Sequence, residues 1–203
     1  MSRTLRHRVV LAAALTMVAG GVGLPAARAN AATTIPFNWN VDASTTLAKL
    51  KLTVDVHGGT FSGAVDVATG ALTGDITLPP STKNISLGRF PLASATFAMT
   101  EARPVTGTVN LSTLHVTTTA TFNIRITNVT VLGLPFNLVG NGCTTSHSIP
   151  VTMSGTANLA GASKFSGTYT IPQLVNCGPL TPLLNLVIPG PGNSFAATAT
   201  PKT

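Results

Sequence analysis

The sequence predicts an all-β fold, an antiparallel barrel or barrel-like sandwich carrying one short C-terminal helix. Three observations lead there. Apolar and polar residues alternate at a period of two through many short segments. Turn residues punctuate those segments, as in closed or sandwiched antiparallel sheets. A small hydroxyl residue followed by glycine recurs inside them, at Ser62-Gly63, Thr73-Gly74, Thr106-Gly107, Ser154-Gly155 and Ser166-Gly167. Glycine weakens a strand unless the backbone bends sharply or something packs closely on it, so five such sites point to a strongly curved sheet.

Residues 1–31 read as a secretory signal peptide. Arg3, Arg6 and Arg8 precede an apolar run from Val9 to Leu24, and the small-x-small triplets Ala27-Arg28-Ala29 and Ala29-Asn30-Ala31 place cleavage after Ala29 or Ala31. The run is shorter than the roughly 20 residues a membrane-spanning helix needs, so no transmembrane anchor is expected after processing. Residues 32–203 form a single all-β domain, expected outside the cell and in reach of the cell wall. Its net charge is +3, from eight scattered basic and five acidic side chains. A nucleic-acid surface needs a clustered basic patch, and none is present in the sequence.

Leu50, Leu52, Val54 and Val56 alternate with Lys49, Lys51, Thr53 and Asp55, and after His57-Gly58-Gly59-Thr60 the apolar face resumes at Phe61, Gly63, Val65 and Val67. This reads as a hairpin turning at Gly58-Gly59, with Lys51 opposite Asp66 and Val54 facing Gly63. A third strand carries Leu72, Gly74, Ile76 and Leu78 and ends at Pro79-Pro80. Further strands are expected over about 92–100, 105–111, 114–131, 135–140, 149–159, 164–171 and 194–200. In the longest, the apolar phase shifts between Ile126 and Val129, which predicts a bulge near Thr127 to Asn128. Thr181 to Ile188, with a capping hydroxyl, Pro182 at the first helical position and a Pro189-Gly190 stop, predicts a two-turn helix. It is apolar almost all round and is therefore expected to be buried, as a plug in one end of the core or a lid over a cavity.

Cys143 and Cys177, the only cysteines, are expected to form a disulfide in an oxidising compartment. Metal ligation with His147, four residues from Cys143, is the poorer alternative, because no Cys-x-x-Cys or His-x-x-Cys pair accompanies it. No cofactor is called for. Catalytic settings are missing from the sequence: no Gly-x-Ser-x-Gly elbow surrounds Ser154 or Ser166, and no glycine-rich phosphate loop precedes a helix. Asp42, Asp55, Asp66, Asp75 and Glu101 are the only carboxylates. Asp55, Asp66 and Asp75 are expected on adjacent strands of the solvent face. His57, in a turn, and His115, on an outward face, have no acidic neighbour at catalytic spacing. The Thr117, Thr119 and Thr121 row reads as an ordinary exposed strand face. Phe61, Phe122 and Phe165 belong to the core, while Trp39 has no assigned place.

In the C-terminal third, Gly142-Cys143-Thr144-Thr145, Val151-Thr152-Met153-Ser154-Gly155-Thr156, Ile171-Pro172-Gln173-Leu174, Cys177-Gly178-Pro179-Leu180-Thr181-Pro182-Leu183-Leu184-Asn185 and Pro189-Gly190-Pro191-Gly192-Asn193 together resemble a group of secreted actinobacterial β-rich proteins to which no activity has been assigned. The resemblance implies an exported β-domain with a paired cysteine, and it transfers no catalytic residue. In overall strand layout the chain also resembles lipid-binding barrels of the YceI type. The expectation is therefore a secreted, non-catalytic β-domain protein. Its alternative is an extracytoplasmic binding protein that holds a small apolar ligand, a lipid or isoprenoid, in space left by inward Gly63 and Gly74.

Overall fold

The computed structural model describes residues 33–87, 90–131 and 136–202; the expected leader lies outside them. A compact unit, Ala32–Thr203, contains every strand. Eight strands close a barrel in which every neighbouring pair is antiparallel. In order round the wall they are β6 (His115–Val131), β8 (Ile149–Thr156), β9 (Ser163–Ile171), β11 (Gly190–Pro201), β1 (Thr34–Leu47), β2 (Leu52–Asp66), β3 (Ala71–Thr77) and β5 (Phe90–Val109), which pairs with β6 again. Short strands β4 (Ser81–Leu87), β7 (Thr144–Thr145) and β10 (Leu174–Val175) and the helix α1 (Thr181–Val187) complete the fold.

The five hydroxyl-glycine sites explain the closure. At each glycine an added β-carbon would collide with a backbone oxygen of the neighbouring strand: Thr73 O at Gly63, Ser62 O at Gly74, Thr117 O at Gly107, Lys164 O at Gly155 and Thr152 O at Gly167. The strands coil too closely for any side chain there, which is how glycine kinks bend a sheet into a barrel. The hydroxyl partners point outward. Thr53, Thr46, Ser194, Thr168, Thr152, Thr119, Thr106 and Thr73 occupy one register row across all eight strands. Followed once round, the row returns to β2 at Ala64, eleven residues beyond its start at Thr53, so it spirals with the stagger that a closed barrel requires. Within it Thr46 and Thr53 approach to 3.0 Å and Thr119 and Thr152 to 3.1 Å through their hydroxyls. A polar outside around an apolar inside is the reverse of a lipid-spanning barrel.

The first hairpin differs from the sequence expectation. The alternation Ile35, Phe37, Trp39, Val41, Ala43, Thr45, Leu47 belongs to β1, which turns at Ala48–Lys51 and pairs with the whole of β2. Gly58-Gly59 is no turn but a bulge within β2, where the register slips between Val41↔Gly59 and Ala43↔Val56 and Gly58 takes φ +74°. Asp42 on β1 accepts the Gly58 N–H at 3.2 Å. Consequently Val54 faces Thr45 rather than Gly63, and Lys51 sits in a turn far from Asp66. Asp55 and Asp66 share one strand, and Asp55 binds Lys83 at 2.6 Å, an ammonium contact that holds its carboxyl below the usual range.

Pro79-Pro80 ends β3 without reversing the chain. Both β3 and β4 run antiparallel to β5, so the two form one path interrupted at the diproline. β5 is irregular opposite the break, with register shifts between Glu101 and Thr106. There both carboxylate oxygens of Glu101 lie 3.2 Å from Ile76 N, standing in for a missing strand carbonyl. Segments 92–100 and 105–111 thus belong largely to the single strand β5. The bulge expected in β6 is present: Thr127 is skipped between Thr96↔Asn128 and Phe97↔Ile126. Asn137 fills it, accepting from Val129 N and donating to Thr127 O, so the expected strand at 135–140 is a loop where it is described.

Half of the barrel is solidly packed. Phe122 and Phe195 stack with centroids 6.3 Å apart, among Ile126, Ile149, Val151, Ile171 and Leu174, all fully buried. The buried Tyr169 hydroxyl bonds Thr45 Oγ1, which also donates to Ser194 O. Burial raises the Tyr169 phenol above its ordinary value. This end is closed by the C-terminal elements. Cys143 and Cys177 are joined as a disulfide, sulfurs 1.98 Å apart. The helix is not buried as expected: Leu184 and Val187 pack on the core, whereas Leu183 and Leu186 are exposed. It lies beside the β1–β2 turn, where Lys49 Nζ donates to Leu186 O.

Three outcomes follow from this packing. Gly167→Val, which drives a side chain into the Thr152 backbone, lowers stability by about 2 kcal/mol or more in urea denaturation, whereas Thr152→Val on the outer face stays within about 0.5 kcal/mol. The folded protein titrates no free thiol, and reduction lowers stability by about 3 to 4 kcal/mol while the β spectrum survives at low temperature. The raised phenol makes stability fall as pH climbs from the unfolded value near 10 toward the higher folded one, because only the unfolded chain ionises there. With one tyrosine in the chain, phenolate absorbance then appears together with unfolding, and Tyr169→Phe flattens that alkaline limb.

Candidate apolar binding cavity

The other half of the barrel is hollow. A cavity of about 240 Å³ opens at the end formed by the β2–β3, β5–β6 and β8–β9 loops. Its origin is a taper along inward faces. β11 presents the bulky Phe195 to the packed half and then Ala197 and Ala199 to the hollow half; β6 presents Phe122 and Ala120, then Thr118 and Val116. Gly167, Met153, Thr118 and Gly107 stand side by side in the interior register, and of the four Met153 and Thr118 line the cavity.

One wall is aromatic. Phe37 lies 5.1 Å from Phe61 and 5.6 Å from Trp39, and Trp39 stacks at 6.4 Å on Phe165, measured between ring centroids. Phe37 and Phe61 cover the backbone at Gly63 and Gly74, each within 2.8 Å of where a β-carbon would stand. Those two glycines therefore leave no open space; rings from the neighbouring strand occupy it. The small side chains that line the cavity are Ala197, Ala199 and Ala157 instead. Phe122 is core as expected, while Phe61 and Phe165 are half-buried cavity wall. Trp39, unplaced from sequence, joins them, and the signal that finds it is the odd-numbered alternation of β1. Thr118, itself buried, is the one hydroxyl residue in a wall otherwise apolar apart from the Trp39 ring nitrogen.

The mouth is built from three like turns. In Asp66–Thr69 and Asn110–Thr113 the side-chain oxygen of the first residue accepts N–H groups two and three residues on, at 2.7 and 3.2 Å and at 3.0 and 3.1 Å. Asn158 accepts from Ala160 N at 3.1 Å in the third. These local bonds are what Asp and Asn supply to turns. Gly70 and Leu114 then take positive φ, and their carbonyls accept from Val109 N and Ala157 N, stitching each turn to the next round the rim. Each turn sets an apolar residue behind its Asx: Val67, Leu111 and Leu159, all of which line the cavity.

The polar groups singled out from sequence lie apart from this cavity. His57 Nδ1 is 3.3 Å from Asp42 Oδ1, an acidic neighbour the sequence reading did not anticipate, on a pair exposed to solvent. Glu101 is part-buried, and burial, helped by the charge of Asp75, raises its carboxyl above the ordinary value. Ser154 and Ser166 are exposed on the outer face, opposite one another in the β8–β9 register. Among the described residues no group of three His, Cys, Asp or Glu side chains is placed to hold a metal ion, and no helix is long and apolar enough to cross a membrane. Comparison with models of protein families, with curated proteins and with solved structures finds no match to this chain.

Proposed function

We propose that this is an exported, non-catalytic binding protein that holds one small apolar molecule in the hollow half of its barrel. The observation that carries the reading is the cavity: about 240 Å³, open at one end, walled by Phe37, Trp39, Phe61 and Phe165 and by aliphatic side chains, above a floor packed solid by Phe195 and Phe122. Such a void is unfavourable to leave empty, because its lining forgoes dispersion contacts. An apolar cavity of about 150 Å³ holds a benzene ring, so this one has room for a fused ring or a short length of acyl or isoprenoid chain, with any polar head at the mouth. The leader read from sequence and the single disulfide support export. The dispersal of Asp42, Asp55, Asp66 and Glu101 into separate structural bonds supports a role without catalysis.

The lone tryptophan stands in the cavity wall and reports occupancy directly. Titration with N-phenyl-1-naphthylamine, and competition by dodecanoic acid, gives saturable energy transfer from Trp39 at one probe per chain. Ala199→Phe and Ala197→Leu, which fill the cavity, weaken that binding at least about tenfold while the denaturation midpoint is retained. Transfer that never saturates, or that is equal in a folded filled variant, defeats the reading.

A further inference from the structure

We infer that the barrel mouth seats on the surface of a lipid bilayer, so that the cavity exchanges its ligand with the membrane; this rests on the reading of the cavity as an apolar site. Around the opening Ile35, Leu111 and Leu159 are 58 %, 47 % and 69 % exposed, and all three also line the cavity. They come from three separate elements, the start of β1 and the β5–β6 and β8–β9 loops, so the exposed apolar surface is a ring continuous with the interior. The turns beneath hold these side chains out rather than letting them fold inward. Asn110 and Asn158 spend their side-chain oxygens on the turn backbones, and the Leu114 carbonyl ties one loop to the next. Rigid polar turns that present leucines to water are an arrangement water itself does not favour.

Charge points to the same occupant. Residues 67–70, 111–114 and 157–162, the described rim loops, contain no charged side chain. The first charged or titratable groups beside them are His115, Lys164 and Lys202, all exposed, and Asp66, whose Oδ1 is already engaged by two N–H groups of its own turn. Apolar tips above a collar with exposed basic groups match the layering of a bilayer interface, where apolar side chains enter the acyl boundary and lysines stay among the head groups. A ligand passing between bilayer and cavity through this ring stays in apolar surroundings throughout. The exposed Leu183 and Leu186 of α1 lie at the opposite end of the barrel, adjoin no comparable cavity, and provide the control.

The test is flotation of Ala32–Thr203, the compact unit that holds the whole core, with vesicles of phosphatidylcholine alone or mixed with phosphatidylglycerol. The wild type floats, more strongly with the anionic vesicles. Leu111→Ser/Leu159→Ser lowers the bound fraction at least about tenfold and keeps its denaturation midpoint, while Ala199→Phe, which fills the cavity behind an intact rim, and Leu183→Ser/Leu186→Ser both float like the wild type. Docking at the mouth is overturned if the wild type floats with neither vesicle, if the rim variant floats undiminished, or if the helix variant is the one that fails. It is also overturned if Ala199→Phe fails to float, since the vesicles are then held only through the cavity. The probe titration on the wild type is independent of vesicles, so failure of the cavity reading is seen there and separately.

Discussion

Everything in this molecule depends on five inward positions where no side chain fits. At Gly63, Gly74, Gly107, Gly155 and Gly167 the neighbouring strand's backbone occupies the place of a β-carbon, and that approach lets eight strands curl until β5 meets β6. The same omission shapes the interior. Where a ring from the next strand lies over the bare backbone, as Phe37 and Phe61 do at Gly63 and Gly74, the barrel gains an aromatic wall. Where the inward residues are alanines, as at Ala197 and Ala199 on β11, the barrel gains empty volume. Closure and the aromatic wall are two results of one constraint.

Much of this was legible because period two is a direct imprint of strand geometry. The barrel class, the bulge at Thr127, the strand from His115 and the cysteine pair could all be read from residues. The failures have physical causes too. A bulge and a two-residue turn both flip the phase of alternation, so Val54-Asp55-Val56 followed by Gly58-Gly59 and Phe61 reads equally well as a hairpin; only the partner strand decides, and the alternation of β1 is masked by the two asparagines that flank Trp39. The diproline ends a ladder without turning the chain, which local propensity does not distinguish. Exposure of Leu183 and Leu186 is not legible from sequence, because a helix apolar all round does not reveal which of its faces meets the core. The cavity was anticipated for an imperfect reason: its volume lies beside alanines, and no single-residue signal distinguishes a small side chain that is covered from one that is not.

The C-terminal string that carries the resemblance has a structural explanation at nearly every polar position. Thr181 Oγ1 accepts from Cys177 N and donates to Gly178 O, and Asn185 grips both N–H and C=O of Leu174. The buried Asn193 accepts from Ala48 N and donates to Gly190 O, joining the first turn of the barrel to its last strand. These residues close the packed end and touch nothing in the cavity. The string is thus accounted for by the sealing of this end of the barrel, and the cavity is shaped elsewhere, on the inward faces of β1, β6 and β11.

The contrast between a filled and a hollow half also divides the molecule in its motions. Backbone amides are released to solvent by local opening, and opening is least costly where few side chains interlock. The disulfide, the clamps of Asn185 and Asn193 and the stacked Phe122 and Phe195 all sit toward one end, so amide protection declines along each strand toward the mouth. The slowest-exchanging amides belong to the packed ends of β6, β9 and β11, and the breathing of the wall is concentrated where a guest would enter.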